Sequence, residues 1–216
     1  MADTGRTLYQ DENQLLSALR AGMESAFEQL VEMYHAAMVR LASIYTPNLR
    51  VAEEVAQETW IAVLQGLDRF EGRSSLKTWI FSILVNRART VGQREGRYIP
   101  TDLSDDPDPA EADPLAGRFV PADDPAHANS WASPVQPWDT IPEEHLESDE
   151  TRAVIDQAIA ALPPSQREVI TLRDLDGLSS DEVCNILQIT ETNQRVLLHR
   201  ARTRVRRALE RYLAGE

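Results

Sequence analysis

The sequence predicts an all-α protein in which an N-terminal helical bundle and a C-terminal helix-turn-helix domain are joined by a long acidic linker. Apolar residues recur at helical spacing before residue 99 and after residue 150, and no segment alternates with period two for long enough to form a strand. The 216 residues carry a net charge of −13, and residues 100–150 hold one base against 14 acids together with 9 of the 12 prolines. We therefore assign two domains, 1–98 and 148–216, separated by the linker 99–147.

Several classes of protein are excluded by what the sequence lacks. No apolar run approaches the ~20 residues of a membrane span, and the polar N-terminus has no signal-peptide core, so we expect a cytoplasmic protein without membrane insertion. The single cysteine, Cys184, allows neither an internal disulfide nor a cysteine-based zinc site, and the histidines have no metal-ligand spacing. Because no P-loop, dinucleotide fingerprint or nucleophile elbow is present, we predict no catalytic site, metal or cofactor.

The N-terminal domain is predicted to contain four helices. Asp11 is positioned to cap the first helix and Ser25 the second, which ends at the turn-forming residues 46–48. Two longer helices follow, at 50–67 and 76–94, with a glycine-containing break between them.

The helix at 50–67 has two distinct faces. Its small and branched apolar residues can pack inward, whereas Glu54, Gln57, Glu58 and Ile61 recur at i, i+3, i+4 and i+7 on another face. Taken alone, such an acidic face is usually a solvated surface. It is not a carboxylate di-metal site, because no Glu-x-x-His pair accompanies it.

A basic segment covers the following loop and helix. Residues 73–97 contain six bases and one acid, interleaved with Trp79, Phe81 and Tyr98. This combination suits single-stranded nucleic acid, because arginines hold phosphates while rings or pockets hold unstacked bases. The polar loop after Gly72 is suited to capturing a flipped base. Trp79 is equally compatible with a place in the core of the bundle, and for Phe81 a place in the core is favoured.

The linker composition argues against a packed core and favours a flexible tether. About 48 flexible residues would have an r.m.s. span of ~40 Å. Trp131 and Trp138 are the exceptions, because tryptophan is scarce in pure spacers and either ring could dock on a folded surface.

After residue 150 the helical pattern returns and is stopped by Pro163-Pro164, after which Ser165 is positioned to cap a second helix. Gly177 breaks that helix. Ser179 and Glu182 then form a predicted capping box for a short helix. A turn at 188–190 leads to a final long helix capped by Thr190, which completes a helix-turn-helix signature.

The final helix carries the predicted DNA contacts. Between Thr192 and Leu209 it holds six arginines and no acid. An isolated arginine run could equally be a solvated basic face, but its place in a helix-turn-helix favours DNA binding. The residues of its first turn can hydrogen-bond base edges, and the later arginines can meet phosphates; the first-turn residues are Thr192, Asn193, Gln194 and Arg195.

Two blocks resemble a known family. Residues 54–90, EVAQETWIAVLQGLDRFEGRSSLKTWIFSILVNRART, resemble the second domain of bacterial sigma factors of the extracytoplasmic-function (ECF) group. Residues 162–209, LPPSQREVITLRDLDGLSSDEVCNILQITETNQRVLLHRARTRVRRAL, resemble their fourth domain. The family's middle domain is missing, as is usual for this group.

The resemblance implies a non-catalytic factor that directs core RNA polymerase to promoters, stabilises the melted minus-ten region and is controlled by an anti-sigma factor. The clamp helices of the largest polymerase subunit would contact Glu54, Gln57, Glu58 and Ile61. The polymerase flap would be a second contact. The contacts to the minus-ten strand would be Arg73, Ser74, Ser75, Lys77, Trp79, Asn86, Arg87 and Arg89. The contacts to the minus-thirty-five duplex would be Thr192, Asn193, Arg195, His199, Arg200 and Arg202. The linker would thread toward the RNA exit path.

Two other functions remain open at this point. The chain could be a stand-alone helix-turn-helix regulator, with residues 1–98 serving as a sensing or dimerisation bundle. Its basic patches could instead bind an acidic protein partner. The linker is longer and more acidic than is typical of the ECF group, which suggests that it folds back on the basic helices and masks them.

Overall fold

A computed structural model describes Tyr9 and residues 11–96 and 149–214. Every regular element in these ranges is helical, with no β-strand among them, which confirms the predicted fold class. The predicted linker, with Trp131 and Trp138, lies outside the described residues. The described residues divide into two compact units, one formed by 11–96 with 161–204 and the other by 149–160 with 205–214.

The helices follow the predicted order. Before the linker lie α1 (Glu12–Arg20), α2 (Glu24–Ala42), α3 (Leu49–Gly66) and α4 (Leu76–Arg94), with a 3-10 turn at Leu67–Arg69. After it lie α5 (Asp149–Ala160), α6 (Pro164–Ile170), α7 (Ser180–Leu187) and α8 (Glu191–Ala214). Thr171–Leu175 form a π-helical turn after α6, which the sequence did not predict.

Side-chain caps fix where α3 and α4 begin. The Asn48 side chain accepts a hydrogen bond from the Val51 N–H at 3.0 Å. The Ser75 hydroxyl accepts from the Thr78 N–H at 3.1 Å. Each bond satisfies a backbone donor that has no partner inside its helix, so each helix starts at a defined residue.

Two predicted caps are wrong. Met23, not Ser25, precedes α2 and makes no side-chain cap bond. Ser25 already lies in the first turn, where its hydroxyl is 3.4 Å from the Tyr9 hydroxyl. Helix α6 begins at Pro164, one residue before Ser165. Proline has no N–H to satisfy and a φ already suited to a helix, so this start needs no serine cap.

The core of the bundle lies between α2, α3 and α4. Leu30, Leu41 and Leu84 are completely buried, and burial of such a side chain is worth about 1.5–3 kcal/mol. The Tyr34 ring meets the buried Phe81 ring edge-on, with centroids 6.2 Å apart. Phe81 is therefore a core residue. This packing holds α2 against α4, while α3 buries one face in the core and exposes the other to solvent.

The helix-turn-helix has the predicted local structure. The Ser179 hydroxyl accepts from the Glu182 N–H at 3.3 Å, and the Glu182 carboxylate accepts from the Ser179 N–H at 2.9 Å. These bonds form the capping box of α7. Helix α7 ends because Gln188 adopts a left-handed conformation with φ 59°. The Thr190 hydroxyl then accepts from the Asn193 N–H at 3.3 Å at the start of α8.

Candidate nucleic-acid interface

The outward face of α3 is acidic with apolar residues among the acids. Glu54, Gln57 and Glu58 are exposed, and Ile61 is 56% exposed. Leu64 was not predicted to belong to this face, and it is 50% exposed. It lies three residues after Ile61, so the same helical spacing could have found it. We call the five residues Glu54, Gln57, Glu58, Ile61 and Leu64 the α3 face.

Both carboxylates of the α3 face already have arginine partners. Arg50 lies 2.5 Å from Glu54 one helical turn away, and Arg87 of α4 lies 3.2 Å from Glu58. All four side chains are well exposed, so these pairs contribute little to stability and are open to exchange for another charged partner.

The loop before α4 presents the most exposed of the predicted minus-ten contacts. Gly72 has φ +70°, a left-handed conformation that glycine adopts without strain. The Arg73 side chain is 85% exposed and pairs with Glu71 at 3.1 Å. Ser74 is half-buried, and farther along α4 Asn86 is exposed.

Trp79 lies on the side of α4 that meets the end of α3. Its ring centroid is 5.0 Å from that of Phe70, and the side chain is half-buried. A Cβ atom on Gly66 would lie 3.1 Å from the Trp79 ring. A side chain at position 66 would therefore require the Trp79 ring to shift by a few tenths of an ångström.

Three predicted minus-ten residues contact the helices that follow the linker. The Ser75 hydroxyl donates to the Glu182 carboxylate at 2.8 Å, as does the neighbouring Thr78 hydroxyl at the same distance. The Lys77 ammonium donates to the backbone carbonyl of Asp176 at 2.5 Å. The Arg89 guanidinium donates to the Glu168 carboxylate at 3.0 Å and to the Leu187 carbonyl at 3.3 Å.

The Glu182 carboxylate is the centre of this contact. Burial alone would raise its pKa, but hydrogen bonds from the Ser179 backbone and from the Ser75, Thr78 and Ser179 hydroxyls outweigh burial and lower the pKa to about 2. Glu182 is therefore fully ionised at neutral pH. Its charge lies at the first turn of α7 and beside the first turn of α4, where helix dipoles favour an anion.

Asp176 supports the same contact from the end of the π-helical turn. Its side chain is only 2% exposed and forms an ion pair with Arg40 of α2. Burial raises the pKa of Asp176, an effect opposed by the hydrogen bond and charge of Arg40 and by the charge of Lys77. A buried carboxylate of this kind depends on its cationic neighbours to stay ionised.

The first turn of α8 displays most of the predicted base-reading side chains. Thr192 and Arg195 are exposed, and Asn193 is half-buried. Arg195 forms an ion pair with Glu191 one turn earlier. The prediction that Gln194 is available to hydrogen-bond base edges is wrong in this structure. The residue is only 2% exposed, and its side-chain oxygen accepts from the Ser180 hydroxyl at 2.9 Å. It therefore joins α8 to α7.

The remaining predicted residues of α8 lie farther along the helix. His199 and Arg200 are half-buried. Arg202 makes a two-point ion pair with Asp174, with nitrogen–oxygen distances of 2.8 and 2.6 Å. Hydrogen bonding to Asp174 raises the pKa of Arg202, so the guanidinium remains charged. This carboxylate competes with any phosphate that approaches Arg202.

Two kinds of site are absent from the residues that the structure describes. No group of three or more histidine, cysteine, aspartate or glutamate side chains there could hold a metal ion. None of the described helices has the length and apolar composition needed to cross a membrane.

Comparison with known proteins identifies two sigma regions in the chain. Residues 30–97 match the family Sigma-70 region 2, and residues 152–205 match Sigma-70, region 4. In the solved structures, the chain aligns with CnrH in complex with the cytosolic domain of CnrY at TM-score 0.56 and 20% identity, covering 92% of this chain and 97% of that one. It aligns with the sigma factor RpoE in complex with the anti-sigma factor NepR from Bartonella quintana at TM-score 0.53 and 22% identity, covering 85% and 96%. These two likenesses concern the fold.

Sequence relatives carry the assignment further. The ECF RNA polymerase sigma-E factors of Salmonella typhimurium and Escherichia coli K12 are each 32% identical to the chain over 188 residues, covering 87% of this chain and 88% of theirs. The RNA polymerase sigma-H factor of Pseudomonas aeruginosa is 28% identical over 201 residues, covering 93% and 95%. With both sigma regions present and relatives aligned over most of their length, the chain belongs to the ECF sigma factors of bacterial RNA polymerase.

Proposed function

We propose that this sigma factor binds core RNA polymerase through the α3 face, directs it to promoters and stabilises the melted minus-ten region. Residues 1–98 would serve the polymerase and the minus-ten element, and residues 148–216 the minus-thirty-five element. The observation that carries the proposal is the helix-turn-helix with an exposed first turn in a chain that also matches Sigma-70 region 2. The proposed activity is non-catalytic and rests on binding energy alone.

The α3 face suits a protein partner better than it suits nucleic acid. Its carboxylates would repel phosphates, while Ile61 and Leu64 expose apolar surface that a partner could bury. The complementary surface is basic with apolar pockets, which we assign to the clamp helices of the largest polymerase subunit. A contact between the C-terminal helices and the polymerase flap is part of the same proposal.

The minus-ten contacts would act by differential binding. Separating base pairs costs ~1–2 kcal/mol per step, and capture of an unstacked base returns ~1–3 kcal/mol. Exposed Arg73 and Asn86 are placed on the loop and on α4 to hold phosphates and bases. A surface that binds the single strand more tightly than duplex shifts the equilibrium toward open promoter.

The minus-thirty-five element would be read as duplex by the first turn of α8. Thr192, Asn193 and Arg195 offer hydroxyl, amide and guanidinium groups, and each good bidentate contact to a base is worth ~1–3 kcal/mol of discrimination. His199, Arg200 and Arg202 lie farther along the helix, where side chains meet phosphates.

We also propose control by an anti-sigma factor. The RpoE chain from Bartonella quintana, to which this chain is similar in fold, was solved with the anti-sigma factor NepR. Such a partner would compete with polymerase or promoter DNA for one of the surfaces above.

Run-off transcription tests the proposal. Core polymerase, a genomic fragment library and the full chain should yield new, discrete transcripts that core polymerase alone does not produce. The variant Glu54→Lys/Glu58→Lys should lower that yield at least about tenfold, because reversed charges would face a basic partner. Glu28→Lys/Glu32→Lys makes the same charge change at exposed positions of α2, away from the α3 face, and should leave the yield near that of the wild type.

Three outcomes would count against the proposal. The first is failure of the chain to co-elute with core polymerase, and the second is equal transcription with the two double variants. Tight, sequence-specific binding to duplex without polymerase would instead indicate a stand-alone helix-turn-helix regulator.

A further inference from the structure

Three of the proposed minus-ten contacts on α4 are turned toward acceptor groups of the same chain. Ser75, with its neighbour Thr78, hydrogen-bonds the Glu182 carboxylate, and Arg89 hydrogen-bonds the Glu168 carboxylate. Lys77 hydrogen-bonds the carbonyl of Asp176. Hydroxyl, ammonium and guanidinium groups are also the donors that proteins use to bind phosphates.

From this we propose that the chain inhibits itself: Glu182 and Glu168 occupy the places on α4 that phosphates of the minus-ten strand would take. The proposal rests on the proposed function, since it names a mode of regulation for the minus-ten surface. In the free chain this closed arrangement predominates, and promoter binding requires that α6 and α7 leave α4.

The geometry at Glu182 supports a carboxylate that stands in for a phosphate. One oxygen of Glu182 accepts from both hydroxyls at 2.8 Å, and the other accepts from the Ser179 N–H at 2.9 Å. The carboxylate therefore lies at the first turn of a helix it does not belong to. The start of a helix offers free N–H groups and a positive dipole end, which suit a carboxylate and a phosphate alike.

The Arg89 contact is the more enclosed of the two. The Arg89 and Glu168 side chains are 23% and 4% exposed, and the guanidinium also lies 5.9 Å from the centre of the Tyr45 ring. Salt screens such a pair less than it screens a surface pair. Because little of Arg89 is left exposed, a DNA phosphate would have to compete with Glu168 for the guanidinium.

The sequence provides its own probe of the closed state. Lys77 is the only lysine among the 216 residues, and its ammonium lies in the contact. The rate at which an amine-reactive ester acylates Lys77, read by peptide mass spectrometry, therefore reports how often α4 is uncovered. The N-terminal amine falls in a different peptide and serves as an internal reference.

The experiment compares the wild-type chain with Glu168→Gln/Glu182→Gln. We expect Lys77 acylation and the affinity for a fluorescent oligothymidylate each to rise about five- to thirtyfold, as when one or two such interactions are lost. Asp181→Asn/Glu210→Gln removes the same charge at exposed positions, so it corrects for general electrostatic attraction and should change both values by less than about twofold.

A neutral variant separates the contact from net charge. Thr78→Val removes one hydroxyl donor to Glu182 without altering any charge, and Thr78 is not among the proposed DNA contacts. It should raise Lys77 acylation by a smaller but measurable factor. This variant also tests the proposal if the double carboxamide variant does not fold.

The outcomes are decisive in both directions. Acylation and oligonucleotide affinity that rise together, in excess of the matched control, support self-inhibition. Self-inhibition is overturned if Lys77 acylation in the Glu168→Gln/Glu182→Gln variant matches that in the control variant. It is also overturned if Lys77 acylation rises while the affinity for the oligonucleotide stays constant. Run-off transcription on the same proteins is a separate readout, so loss of transcription with core polymerase would refute the proposed function without bearing on the closed state.

Discussion

Glu182 is the residue at which a single substitution has the most clearly defined consequence for stability. Its carboxylate accepts a hydrogen bond from the Ser179 N–H at 2.9 Å and one each from the Ser75 and Thr78 hydroxyls at 2.8 Å. Alanine removes all three acceptor contacts. Glutamine keeps an acceptor oxygen and remains a good partner in a capping box, but it carries no charge.

The magnitude follows from the kind of each bond. Loss of a helix cap costs about 0.5–2 kcal/mol, and loss of a hydrogen bond at a half-exposed site about 0.5–1.5 kcal/mol. Solvent screening puts the total toward the low end of the sum. We expect Glu182→Ala to lower the free energy of unfolding by about 2–3 kcal/mol and Glu182→Gln by about 1 kcal/mol.

The pH dependence gives a second, independent check. The pKa of Glu182 is lowered from 4.5 to about 2 in the folded chain, so its charge stabilises the fold fully above the unfolded-state pKa and progressively less as pH falls toward 2. Urea denaturation followed by circular dichroism should therefore show a wild-type advantage over Glu182→Gln that is constant from neutral pH to about 5.5 and shrinks below it.

The control for this series is Asp181→Asn, which removes a neighbouring exposed charge of the same helix turn. An advantage over Glu182→Gln that stays constant down to pH 3 would show that the charge of Glu182 does not stabilise the fold. A loss for Glu182→Ala no larger than that for Asp181→Asn would show that its hydrogen bonds do not stabilise the fold either.

The remaining predictions concern packing, DNA recognition and the linker. Gly66→Ala should lower the free energy of unfolding by about 1–3 kcal/mol in urea denaturation, since the new methyl group would press on the Trp79 ring at 3.1 Å; an unchanged midpoint would contradict that packing. Arg195→Ala should lower the preference for the upstream promoter element over scrambled duplex by ~1–3 kcal/mol in competition binding. Arg206→Ala should weaken binding to the promoter duplex and to the scrambled duplex alike, and should reduce the slope of log affinity against log salt concentration by about one. Equal losses of affinity on both duplexes for Arg195→Ala would refute the assignment of Arg195 to bases and Arg206 to phosphates. Deletion of residues 101–140 should strengthen polymerase-free promoter binding if the acidic linker masks the basic helices, and unchanged affinity would disprove masking.

Local patterns in the sequence predicted local structure well. The capping box of Ser179 and Glu182 needs only a hydroxyl and a carboxylate three residues apart, and the structure contains it. The inward residues of α3 were predicted from helical spacing alone, and Val55 and Val63 are buried. The caps at Ser25 and Ser165 were wrong because a serine near a helix start is a capping candidate at several neighbouring positions, and the backbone selects only one of them.

Contacts between distant residues were not predictable in the same way. Glu182 lies 107 residues after Ser75 and 104 after Thr78, and no periodicity links them. Gln194 has the chemistry of a base-reading side chain, but α7 draws it inward through Ser180. Leu64 could have been predicted from the sequence, because it follows Ile61 by three residues and so lies on the same face of the helix. The candidate DNA-binding residues were thus predictable by type, whereas their present partners depend on how α6 and α7 pack against α4.

The strength of these contacts suits a state that must be reversed. Moving a two-state equilibrium from 1:99 to 99:1 takes about 5.5 kcal/mol of differential binding. Two hydroxyl bonds to a half-exposed carboxylate, one lysine–carbonyl bond and one enclosed ion pair are among the contacts that join α4 to the C-terminal helices, and each contributes about 0.5–3 kcal/mol. Because the contact uses the donors that promoter DNA needs, each phosphate bound on α4 also removes one of the bonds that keep the chain closed.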